Sequence, residues 1–111
     1  NSNRVSLYYH QVNIINLVQH DDFESIEVYF VRSNETVNTA DYKATAIRTI
    51  PRNITLPNNT YDVSLIVNVN GSDLLLGFDS ITLNSDSGDI FLVIEEDELS
   101  ATGYGMNIIA Q

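Results

Sequence analysis

The sequence predicts an all-β protein, a two-sheet sandwich or small barrel of eight or nine short strands. Three observations carry this. First, a strand–turn–strand pattern occurs twice, 27 positions apart: Ile54-Thr55-Leu56 leads into Asp62–Val67, and Ile81-Thr82-Leu83 leads into Asp89–Ile94. Second, side chains alternate apolar and polar with period two, as they do when one sheet face is dry and the other wet. Third, no segment sustains the 3.6-residue period of a helix.

The elements follow in chain order. Val5, Leu7 and Tyr9 share one parity and Arg4, Ser6 and Tyr8 the other, which predicts a first strand. Val12 to Val18 is apolar at both parities, with Ile14, Ile15 and Leu17, as expected of a central or doubly covered strand. Gln19-His20-Asp21-Asp22 is a polar loop. Ile26, Val28 and Phe30 alternate with Glu27 and Tyr29 in the next strand. Thr39 to Ala44 predicts one turn of helix on a crossover. Pro57-Asn58-Asn59 is a turn. After it, Tyr61, Val63, Leu65, Val67 and Val69 face the core, opposite a wet Asp62, Ser64 and Asn68.

Asn70-Gly71 predicts a two-residue hairpin, because both central residues of a type I′ turn need positive φ. Leu74 to Phe78 is apolar at both parities and predicts a second central or doubly covered strand. Asp86-Ser87-Gly88 forms a turn before Ile90–Ile94, so each repeat reads as a hairpin-like unit of an antiparallel sheet. Glu95–Glu98 and Ser100–Gly105 form a loop before a last strand, Met106 to Ala110.

At 111 residues and 43% hydrophobic, the chain suits one domain, residues 1–111, with a core of its own. Without cysteine it has no disulfide, zinc–thiolate site or thiol nucleophile. A net charge of −10 with five basic residues repels phosphate backbones and anionic headgroups, which argues against a nucleic-acid partner. No apolar run reaches the roughly 20 residues needed to cross a bilayer as a helix. The chain starts at Asn1-Ser2-Asn3 without an initiator Met. It reads as a trimmed product whose leader, lipid-attachment Cys or neighbouring domain lies outside, and so as extracytoplasmic: periplasmic, cell-surface or secreted. Four Asn-x-Ser/Thr sequons, at Asn34, Asn53, Asn58 and Asn70, compare with about two expected by chance in so Asn-rich a chain. The composition fits a secreted bacterial product.

Candidate chemistry is sparse. His20 beside Asp21 and Asp22 has the residue types of a metal site or part of a triad, but no nucleophile elbow or His-x-x-x-His spacing accompanies it. It reads as a loop, and no catalytic residues are assigned. Asp86 and Asp89 echo the start of a calcium loop, and Glu95 and Asp97 would complete an oxygen-rich set if both loops shared one end of the fold. Calcium is the one candidate cofactor. Tyr8, Tyr29 and Tyr104 are candidate stacking residues for a carbohydrate or other ligand, although the chain has no Trp.

The run Phe23-Glu24-Ser25-Ile26-Glu27-Val28-Tyr29-Phe30-Val31, followed by Ile54-Thr55-Leu56-Pro57-Asn58-Asn59-Thr60-Tyr61-Asp62-Val63, resembles bacterial domain-of-unknown-function family 4397. The likeness covers about positions 12 to 95 and departs at the family's turn Gly, here Asn59, and at its His-Ala-Ser-Pro run, here Gln19-His20-Asp21-Asp22. The resemblance implies an envelope or secreted Ig-like sandwich, often in tandem copies, with no catalytic residues. The expectation is thus an antiparallel Ig-like or Greek-key sandwich, acting as a non-catalytic structural or interaction module. Its partner is a protein or a further copy of itself. The alternative is a carbohydrate-binding module.

Overall fold

The computed structural model describes residues 9–110, which form eight strands. They are β1 (Tyr9–Asn16), β2 (Ser25–Val31), β3 (Tyr42–Ile47), β4 (Arg52–Pro57), β5 (Asn59–Val69), β6 (Ser72–Leu83), β7 (Ile90–Glu96) and β8 (Tyr104–Ala110). Two four-stranded sheets, in the orders β4-β1-β7-β8 and β3-β2-β5-β6, face each other as a sandwich. All pairings are antiparallel except β1 with β7, which run parallel because both start from the same end of the molecule. No helix among the described residues is long and apolar enough to cross a membrane.

Period-two alternation builds the core as expected. Val12 and Ile14 of β1 meet Ile26, Val28 and Phe30 of β2, Tyr61, Val63 and Leu65 of β5, and Leu92 and Ile94 of β7; all are buried. Burying each such side chain stabilises by roughly 1.5–3 kcal/mol. β1 lies between β4 and β7, the central position that its two-sided apolar pattern predicts. The expected first strand falls outside the described residues apart from Tyr9, which begins β1 and is exposed. Asn16, buried at the far end of β1, is fully used. Its amide donates to the carbonyls of Phe23, Glu24 and Ala46, and its oxygen accepts from the Val18 N–H.

Four expectations change. The repeated unit is a corner between sheets, not a hairpin: β4 and β5 lie in different sheets, as do β6 and β7. Ile81–Leu83 is the tail of β6, continuous with Leu74–Phe78. A bulge joins the two parts. Leu65 pairs with Gly77 and Ile66 with Leu75, so Leu76 has no opposite number and turns inward. That extra residue, not cover on both faces, explains the two-sided apolar run; β6 is an edge strand, with Leu75 and Phe78 exposed.

Thr39–Ala44 forms no helical turn. Tyr42, Lys43 and Ala44 belong to β3, where pairing with Phe30, Tyr29 and Val28 of β2 outweighs local propensity. Ser64, expected to be wet, is 5% exposed on the outer face. Its directly opposed neighbours are the aromatics Tyr29 and Phe78, whose bulk shields it.

Two connections fix how β5 is entered and left. Asn70 (φ 53°) and Gly71 (φ 83°) make the hairpin turn between β5 and β6 that the dipeptide predicts. The corner from β4 to β5 is crossed by Asn58 alone, and the buried Tyr61 hydroxyl donates back to the Pro57 carbonyl at 2.6 Å. Such a tyrosine corner is a device of Ig-like sandwiches.

Candidate functional site

The edges of the two sheets define the most distinctive surface. Among the described residues β6 ends one sheet and β8 ends the other, and they run side by side along an open seam of the sandwich. At one point the edges touch. A Cβ built on Gly77 would lie 3.7 Å from the Gly105 Cα, and Thr102 Oγ1 donates to the Leu76 carbonyl. Beyond Gly77 the edges diverge into a groove of about 460 Å³, lined by Ile81, Leu83, Ile90 and Ile108, with Asp79, Asp86 and Asp89 around them. A smaller hollow of about 200 Å³ lies at the contact itself, lined by Gly77, Phe78, Asp97, Tyr104 and Gly105 among others, and Asp79 borders both.

Strand geometry explains this layout. Ile81 and Leu83 lie on the inward parity of β6 and are buried. Asp79 shares that parity, opposite Val63, yet is exposed. A carboxylate at an inward position can stay hydrated only where the facing sheet has fallen away, as it has here. The loop Asn84–Asp89 closes the groove's lower end and is held in shape locally. The N–H of Asn84 donates to Ser87 Oγ, and that of Asp86 to Asn84 Oδ1. The Gln11 N–H donates to Asp89 Oδ1 at 3.0 Å, which ties the loop to β1. His10, 4% exposed, bridges the same end, with Nε2 2.7 Å from Asn58 Oδ1 and Nδ1 3.2 Å from the Gly88 carbonyl.

The residues singled out from sequence are dispersed. Asp86 and Asp89 lie at the start of β7, whereas Glu95 and Asp97 lie at or beyond its end, about 20 Å away at the rise of an extended strand. The shared end that a single calcium site requires is therefore missing. Among the described residues no three His, Asp or Glu side chains are grouped to hold a metal ion. Tyr29 lies on the outer face of β2, half-buried. Tyr104, on β8, packs edge-to-face on Phe23 with ring centroids 5.0 Å apart, at the margin of the core. The two do not share a platform, and Tyr8 lies outside the described residues.

His20 caps the short 3₁₀ turn Asp21–Phe23: its Nδ1 accepts from the Asp22 N–H and its ring stacks on Phe23. Arg48 donates to the His20 carbonyl and pairs with Asp21 at 3.5 Å, so this segment is a braced loop.

A second electrostatic cluster holds the loop from β2 to β3. Arg32 pairs with Glu35 and with Asp41 and lies over the Tyr42 ring. Glu35 also accepts from the backbone N–H groups of Arg32 and Asp41. The Arg32 hydrogen bonds hold the Glu35 carboxyl down at about 2. The Arg32 guanidinium is pushed up, first by the same bonds.

The seam escaped prediction because its residues look like ordinary strand and turn positions. The one trace was Asp79 on an otherwise apolar parity. Comparison with protein-family models, curated proteins and solved structures finds no match, so the family resemblance rests on its strand and turn residues alone.

Proposed function

We propose that this chain is a non-catalytic, extracytoplasmic interaction module that binds a protein partner along its open β6–β8 seam. The observation that supports it is a groove with an apolar floor between two sheet edges that no other described strand pairs, on a tightly packed scaffold. A free edge offers unpaired N–H and C=O groups to an added strand, while alternate side chains of that strand enter the groove. The two-sheet scaffold holds those edges apart without help from the partner. Amide chemical shifts of the labelled chain, recorded during titration with extended peptides, test the proposal. Perturbation concentrated on Asp79–Leu83 and Ile108–Ala110 is expected. A surface that responds to no peptide would dismiss it.

One observation favours carbohydrate binding as a second reading. Tyr29 and Phe78 flank Ser64 in a single cross-strand row on the outer face, and Phe78 is 61% exposed. Aromatic faces spaced about 10 Å apart on a flat sheet suit stacking against sugar rings. Glycan-array binding that is lost in Phe78→Ala, with the seam unperturbed, would select this alternative.

A further inference from the structure

Resting on the seam reading, we propose that the partner docked against β6 is a basic, extended segment. Its inward side chains are apolar opposite Ile81 and Leu83, and one of them, opposite Asp79, is Lys or Arg. The groove sets the length. The β6 and β8 edges touch at Gly77 and Gly105, and β6 ends at Leu83, so the free run is Asp79–Leu83, about 17 Å of extended chain. A docked segment therefore spans five or six residues.

Charge selects the sign of that segment. Asp79, Asp86 and Asp89 surround the apolar floor, Asp97 lies further along the seam, and among the described residues no Lys or Arg borders either hollow. Asp79 is placed to discriminate, because it occupies an inward position of an edge strand. A neutral or acidic strand laid on β6 would desolvate that carboxylate and leave it only the Ser80 N–H, whereas a cationic side chain would neutralise it. A second copy of this chain is disfavoured as occupant for the same reason. Each copy carries a net charge of −10, and the seam is locally acidic as well.

The test uses the 111-residue chain with two synthetic peptides, acetyl-Lys-Thr-Val-Thr-Val-Thr-Lys-amide and its charge-reversed twin acetyl-Glu-Thr-Val-Thr-Val-Thr-Glu-amide, which in either strand direction set an end charge opposite Asp79 and Val opposite Ile81 and Leu83. Binding is followed by fluorescence anisotropy and by amide shifts. The basic peptide is expected to bind with shifts on Asp79–Leu83, and the acidic twin to leave them unchanged. Asp79→Asn and Asp86→Asn, each checked for an unaltered melting temperature, should each weaken binding by about fivefold. Asp73→Asn, in the part of β6 near the Asn70-Gly71 turn, should not. Raising ionic strength from about 0.01 M to about 0.15 M should weaken binding as the Debye length shortens.

Seam binding by the acidic twin, or by both peptides equally, would overturn the basic-partner assignment and leave strand docking standing. Silence of the seam towards both would overturn docking as well. Association of the chain with itself, protecting Asp79–Leu83 without any peptide, would make a second copy the occupant and overturn the proposal.

Discussion

The hydroxyl of Tyr61 donates to the carbonyl of Pro57, 2.6 Å away, across the corner where the chain leaves one sheet for the other. Its ring is fully buried, edge-to-face with both Phe30 and Tyr42. One side chain thus fixes a one-residue crossing while filling the core. Removing only the hydroxyl in Tyr61→Phe should cost about 1–2 kcal/mol, since the part-buried Pro57 carbonyl loses its donor. Chemical denaturation at neutral pH measures this. An unchanged midpoint would show the corner to be held by packing alone.

The same tyrosine gives stability an alkaline limit. Burial pushes its hydroxyl from 10 up to about 12, so the folded state keeps a proton that the unfolded state has already lost. Its contribution is whole below pH 10 and is lost as pH climbs through about 12. Melting temperatures of wild type should fall over that window more steeply than those of Tyr61→Phe.

Glu35 acts at the acid end with the opposite sign. Its folded value of about 2 lies below the ordinary 4.5, so its contribution is present above pH 4.5 and is lost as pH falls through about 2. Glu35→Gln should flatten that part of the stability curve, and the β2–β3 loop should exchange its amides faster at neutral pH. Parallel acid profiles for the two proteins would show that the Arg32–Glu35 pair does not order the loop.

How far this fold can be read from sequence depends on which residue is asked. Tyr61, Val63, Leu65 and Val67 announce their strand because burial on one face leaves an alternating trace. Asn70-Gly71 announces its turn because few dipeptides accept two positive φ angles. Sheet membership leaves no such trace: the residues of a corner between sheets and of a hairpin are alike, so the repeat misled. Nor can one chain segment show what stands opposite it. That is why the bulge at Leu76, the cover over Ser64 and the seam beside Asp79 emerged only from the packed structure.

Ser64 offers a direct check on that lesson. Alternation alone would make Ser64→Asp harmless, but the site is enclosed between Tyr29 and Phe78. A carboxylate there should cost about 1–3 kcal/mol, and Leu65→Asp, in the core, should prevent folding. Thr55→Asp, exposed on the outer face of β4 where the Gln11 amide can still donate to it, should stay within about 0.5 kcal/mol. Thermal melts of the three variants decide this; equal tolerance of Ser64→Asp and Thr55→Asp would refute the enclosed outer-face position.

Gly77 sets the width of the seam. A Cβ there would lie 3.1 Å from Leu65 Cδ1 and reach the backbone of Gly105. Gly77→Val should therefore destabilise by about 1–3 kcal/mol and widen the gap between β6 and β8, whereas Ala at the same site asks only a small shift of Leu65. A crystal structure of Gly77→Val with the two edges unmoved would locate the contact elsewhere.

Hydrogen exchange of the isolated chain, resolved amide by amide along β6, tests the open edge most directly. Amides of β5 from Tyr61 to Val67 should exchange only with global unfolding. Alternate amides between Asp79 and Leu83, which point away from β5, should exchange far faster, with Ser80 slowed only by its bond to Asp79 Oδ1, and become protected when a strand docks. Uniform slow exchange along the whole of β6 in the free protein would mean that the edge is already covered, and would contradict a docking seam.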